Sequence, residues 1–145
     1  MIAMLSIGDL SRRTATKVQT IRYYEQIGLM REAERSAGGQ RRYTEGDLER
    51  LAFVRHAREL GFPLDAIREL LELADDPKRP CDKADAIARR QLVRVEQRIR
   101  RLEALKTELG RMLEECSGGR VSECRVIEVL SDHSECLTGH DGIEA

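Results

Sequence analysis

Four cysteines, at positions 81, 116, 124 and 136, are the residues of this sequence best suited to chemistry. Two of them close the short stretch CSGGRVSEC, Cys116 to Cys124, which holds a Gly-Gly pair and cannot bury a core of its own. Paired thiols of this kind can form a disulfide, clasp a metal or be an accident of composition. Thiolates are soft ligands that prefer Zn, Cd, Hg, Pb or Cu(I) to Mg or Ca. The tail DHSECLTGH adds His133, Cys136 and His140 as further ligand types, imidazole and thiolate together suiting zinc or cadmium. His56 stands apart from every cysteine and reads as structural.

A second constellation is basic. Arg12 to Arg42 holds eight Lys/Arg and three Asp/Glu, net +5, whereas Glu114 to Ala145 holds two and eight, net −6. A basic segment suits a polyanion, and an acidic tail suits cations or solubility. Lys17, Gln19, Thr20, Arg22 and Tyr23 cluster within seven residues, and Arg41 and Arg42 follow a Gly-Gly turn. Arg and Lys neutralise phosphates, and hydroxyls bond phosphate oxygens, so double-stranded DNA is the expected partner.

The local sequence pattern around these groups encodes helices and a hairpin. Ser6 and Asp9 form a capping-box variant that opens a helix over about residues 7–14. A second helix fits 17–26 and ends at Gly28, so the two read as a helix-turn-helix. One of the adjacent Tyr23 and Tyr24 must face a core. Gly38-Gly39 permits a tight hairpin whose second strand is 40–43, a candidate wing. Thr44 and Asp47 repeat the cap and open a helix that stops at Gly61, and another runs from Pro63 or Leu64 to about Leu73. Pro77 and Pro80 then break the chain.

Ala88, Leu92, Val95, Ile99, Leu102, Lys106, Leu109 and Leu113 alternate steps of four and three, an a/d seam with one polar break. Residues 83–115 make a rod of roughly 50 Å at 1.5 Å per residue. A rod with an apolar seam and no partner element in the chain needs a second copy, hence a homodimer, parallel or antiparallel. The expected domains are 1–76, a winged helix-turn-helix; 77–115, linker and dimerisation helix; and 116–145, metal-binding loop, short helix and tail.

Hydrophobic residues are 41%, aromatic 3% and charged 35%, a mainly α composition that disfavours one large core. The first ten residues lack the basic start and long apolar run of a signal peptide. No stretch nears the roughly 20 apolar residues that span a bilayer. A cytoplasmic protein without membrane contact is expected, where spaced cysteines bind metal or do redox work more often than they pair. No Ser-His-Asp set, phosphate loop or paired catalytic carboxylates stands out, so the chain reads as no enzyme.

The run IGDLSRRTATKVQTIRYYEQIGLM, followed by GGQRRYTEGDLERLAFVRHARELGF, resembles the N-terminal domain of the MerR family of bacterial transcription regulators. The resemblance extends through the long helix and the cysteine loop. It implies a winged helix, an antiparallel coiled-coil homodimer and a two-fold operator inside a promoter. There, effector binding distorts the DNA so that RNA polymerase can use an overlong spacer. By position it assigns DNA contact to Arg22, Tyr23, Arg41 and Arg42, with Lys17 and Thr20 next. Antiparallel pairing brings Cys81 of one subunit to Cys116 and Cys124 of the other, the cysteine pattern of divalent-metal sensors in the family. The effector is then a soft divalent ion, Zn, Cd, Pb or Hg. The seven-residue gap between Cys116 and Cys124 is that of Cu(I) sensors, but these usually lack a cysteine where Cys81 stands. Glu115 before Cys116, and a loop without His, depart from the zinc-sensor pattern. A redox-sensing iron–sulfur regulator is the alternative, although its four cysteines would have to cluster.

Overall fold

The computed structural model describes residues 4–115 and 119–132. The chain divides into two compact units, Met1–Ile87 and Ala88–Ala145.

The first unit holds four helices and a small sheet. Helix α1 spans Ile7–Thr14 and α2 spans Val18–Gln26. Strands β1 and β2 are Glu34–Arg35 and Arg41–Arg42, and α3 and α4 are Glu45–Glu59 and Leu64–Ala74. Both expected capping boxes form. Ser6 Oγ accepts from Asp9 N–H and Asp9 Oδ2 accepts from Ser6 N–H, each at 3.0 Å. Thr44 and Asp47 exchange the same bonds at 3.1 and 2.8 Å. Each box satisfies donors that a helix start leaves orphaned and contributes about 1 kcal/mol. Helix α2 begins one residue after the expected start, because Lys17 is extended and acts as its N-cap.

No glycine makes the turn between α1 and α2. Ala15 adopts the left-handed conformation at φ 50°, a position costly for a residue with a Cβ. Arg55 of α3 holds it there. Its guanidinium donates to the Thr14 carbonyl at 2.9 Å and also to that of Ala15. The angle between the two helices is thereby tied to α3. Leu10, Ile21, Leu29, Leu51, Val54 and Ile67 are fully buried between the helices, each contributing about 1.5–3 kcal/mol by leaving water.

The hairpin pairs Glu34 with Arg42 and Arg35 with Arg41. Gly39, at φ 80°, makes the turn, and Ser36 N–H donates to the Gln40 carbonyl at 2.7 Å. The second strand is shorter than expected for a reason. Gln40 belongs to the turn, and Tyr43 pairs instead with Leu5, exchanging bonds of 2.7 and 2.8 Å. The segment before α1 thus joins the wing.

Helix α5, Asp82–Glu115, runs for 34 residues, about 50 Å at 1.5 Å per residue. In the single chain Leu92, Val95, Ile99, Leu102, Leu109 and Leu113 of its seam are 40–69% exposed. So long an apolar stripe in water marks an interaction surface. In the second unit Glu108, Met112 and Val129 are buried. After the cysteine segment come a single 3-10 turn, Val121–Glu123, and helix α6, Arg125–Ser131. No helix among the described residues is long and apolar enough to cross a membrane.

Candidate DNA and metal sites

Helix α2 turns Ile21 and Tyr24 into the core and leaves Lys17, Gln19, Arg22 and Tyr23 exposed. Of the two adjacent tyrosines, Tyr24 is the core residue and Tyr23 is 48% exposed. Thr20 is half-buried, as are Arg41 and Arg42 on the wing. Successive strand residues point to opposite faces. Arg41 approaches Glu25 of α2 at 3.9 Å, while Arg42 lies opposite Glu34 and donates to Gln40 Oε1 at 3.4 Å.

Arg22 and Arg41 line two adjoining clefts. One, of about 500 Å³, is completed by Ser6, Ile7, Arg35, Gly39 and Gln40. The other, of about 330 Å³, is completed by Glu25, Gln26 and Glu32. The larger cleft gathers three guanidinium groups along a helix and a hairpin, an arrangement suited to phosphate oxygens. Two of its cations, Arg22 and Arg41, were legible in the sequence. Arg35 was not, because only the antiparallel register brings it opposite Arg41.

Glu25 and Tyr43 also escaped the sequence reading. Glu25 accepts from the Tyr43 hydroxyl, and its other oxygen lies 3.9 Å from Arg41 Nη1. Burial, then the bond to Glu25, pushes the Tyr43 hydroxyl pKa well above its usual range. The available signal was Glu25's place four residues after Ile21, on the inward face of an otherwise basic segment. His56 is exposed on α3.

The cysteines fall at helix starts. Cys81 lies one residue before α5 and is exposed. Its carbonyl accepts from Asp85 N–H at 3.0 Å, and its thiol donates to Asp85 Oδ1 at 3.4 Å. That bond, then the Asp85 charge, burial and the Asp82 charge, holds the thiol above its usual pKa. Cys124 is half-buried and is the N-cap of α6, accepting from Glu128 N–H at 3.0 Å. Cys116, His133, Cys136 and His140 lie outside the described residues. Among the described residues of one chain, no three His, Cys, Asp or Glu side chains gather around a point that could hold an ion.

A chain of ion pairs spans the two ends of the cysteine segment. Arg111 reaches Glu108 at 2.5 Å and Glu115 at 3.1 Å. Arg125 reaches Glu115 at 2.5 Å and Glu128 at 3.1 Å. Glu115 immediately precedes Cys116, and Arg125 immediately follows Cys124.

Comparison with known proteins places the chain among transcription regulators. A family model for MerR HTH family regulatory proteins matches residues 5–74, and one described as MerR, DNA binding matches residues 48–112. The HTH-type transcriptional regulator ZntR of Escherichia coli (strain K12) is 42% identical over 130 residues, covering 88% of this chain and 92% of its own. The transcription regulator PbrR691 from Ralstonia metallidurans CH34, solved in complex with lead(II), is 36% identical. It superposes with a TM-score of 0.73, covering 87% of this chain and 98% of that one. The regulator MerR of Bacillus megaterium MB1, solved with mercury(II), is 26% identical at a TM-score of 0.65, covering 88% and 99%.

Proposed function

The chain belongs to the MerR family of helix-turn-helix transcription regulators, and on that premise we propose that it is a metal-responsive regulator of promoter DNA. The observation that carries the metal reading is the pair of cysteines at the starts of α5 and α6, either side of a rod whose apolar seam lies open. Two copies joined along that seam in antiparallel fashion would supply Cys81 from one subunit and Cys116 and Cys124 from the other. His133, Cys136 and His140 are candidates for a fourth ligand or a second ion. The donor set fits a soft ion, since thiolates select Zn, Cd, Pb or Hg over hard cations. The relatives solved with lead(II) and mercury(II) support the same class.

On the DNA side, Lys17 at the N-cap of α2 and Gln19, Thr20, Arg22 and Tyr23 within it would face the major groove. Arg41 and Arg42 of the wing would meet the backbone. The homodimer would span two half-sites, with the response read by RNA polymerase on DNA distorted by the metal-loaded dimer. Metal uptake releases thiol protons, so apparent affinity rises with pH.

The test is to titrate the reduced protein with Zn, Cd, Pb, Hg and Cu(I) while transcription from its own promoter and footprint occupancy are followed together. A soft divalent ion should raise transcription several-fold with occupancy little changed. A response to Cu(I) alone would reassign the ion. A metal that stabilises the fold and leaves transcription unchanged would refute the sensor.

A further inference from the structure

The basic face of the first unit carries a buried carboxylate, Glu25, that a polyanion-binding surface does not by itself explain. Glu25 stands beside Arg22 and Arg41, where a negative charge opposes any approaching polyanion. Its side chain is only 6% exposed, and burying a carboxylate is costly unless it is paired and hydrogen-bonded. The structure supplies both. Tyr43, fully buried at the root of the wing, donates its hydroxyl to one oxygen. Arg41 lies 3.9 Å from the other. Arg41 Nη1 is itself buried and makes no hydrogen bond among the described residues, so this end of the guanidinium is held electrostatically. The rest of the side chain lines the clefts shared with Arg22.

We propose that Glu25 is a positioning residue for binding the DNA backbone. Gripped by Tyr43, its carboxylate ties the wing to α2 and points the Arg41 guanidinium at a phosphate entering those clefts. A long, flexible side chain would otherwise be ordered only on contact, which weakens binding. The inference rests on the reading that α2 and the wing face DNA.

The two roles open to Glu25 differ in sign. As a like charge near DNA it would repel, and Glu25→Gln would raise affinity. As a positioning group it holds one phosphate contact, and Glu25→Gln should lower affinity. The probe is a mixed-sequence duplex of about 30 base pairs, long enough for two half-sites. We expect a loss of about tenfold, the scale of one charge-assisted contact, and a salt slope shallower by about 0.9. Beside Arg41→Gln, the effect of Glu25→Gln should vanish. Retained or raised affinity, or a loss that persists beside Arg41→Gln, overturns the proposal. If Glu25→Gln does not melt cooperatively, Tyr43→Phe takes its place. Its loss of affinity must likewise vanish beside Arg41→Gln, and a persistent loss overturns the proposal. If Arg22→Gln and Arg41→Gln both leave affinity unchanged, the reading that this face binds DNA fails, and the proposal with it.

Discussion

Removing the Arg125 guanidinium should weaken metal capture. Arg125 Nε lies 2.5 Å from Glu115, and the side chains are 18% and 42% exposed. A sheltered charge-assisted bond contributes about 1.5–3 kcal/mol and an exposed ion pair about 0–1 kcal/mol. As a half-sheltered ion pair it lies at the top of the exposed range, about 1 kcal/mol. Arg125→Gln does not orphan the carboxylate, because Glu115 keeps Arg111 at 3.1 Å. The segment between Glu115 and Arg125 carries Cys116 and Cys124. Holding its ends before the ion arrives removes an ordering cost from binding. At 1.4 kcal/mol per tenfold, Arg125→Gln should weaken Cd(II) affinity by up to roughly fivefold. Competition between the reduced protein and a chromophoric chelator measures this, with thermal melting of the metal-free protein alongside. Arg125→Lys, which keeps the charge, should recover most of the loss. An unchanged affinity with a lowered melting point would mean that the pair supports only the fold. No change in either would mean that it contributes nothing.

Leu102→Asp places a charge in the seam of both subunits, which should raise the dimer dissociation constant at least about a hundredfold, read by sedimentation. A dimer unaffected by it would move the interface elsewhere. Asp47→Ala removes the acceptor for Thr44 N–H and the partner of Arg31 at 3.1 Å, and should cost about 2–3 kcal/mol in urea unfolding. A loss under about 0.5 kcal/mol would put it among ordinary surface changes. Asp9 accepts two bonds from Ser6 and Arg12, and its pKa is lowered chiefly by the Ser6 backbone donor. Its folded pKa lies below the ordinary 3.8, so its contribution is complete above 3.8 and lost as pH falls through the lower folded value. A carboxyl chemical-shift titration with a midpoint at or above 3.8 would contradict this.

What the sequence made legible was whatever a local pattern encodes. The two S/T-x-x-D caps, the left-handed glycine of the wing and the four-three spacing of the seam each need only neighbours in the chain. Six apolar residues that the heptad picks out are exposed in the single chain, and so is Val93 off the seam. What escaped depends on contacts distant in sequence. Arg55 supports the Ala15 turn from 40 residues away, and Tyr43 reaches Glu25 across 18. Leu5 pairs with Tyr43, so a strand end formed from a segment with no strand pattern. The ion pairs across the cysteine segment were equally hidden, since Glu108, Arg111, Glu115 and Arg125 read from sequence as solvated charge. For the metal ligands, the sequence could name thiolates. Assembly across two copies is what the resemblance implies, and no spacing within one chain encodes it.

The most direct test of that assembly is complementation between two defective chains. Cys81→Ser and Cys124→Ser homodimers should each bind Cd(II) weakly, having one thiolate too few at every site. Mixed and re-annealed, they form heterodimers in which the chain retaining Cys81 faces the chain retaining Cys116 and Cys124. One intact site per heterodimer should then appear with wild-type affinity, counted by the thiolate-to-Cd(II) absorbance and by native mass spectrometry. If each site were built within a single chain, every chain in the mixture would still lack a ligand. No tight binding would return on mixing, and that result would contradict the account.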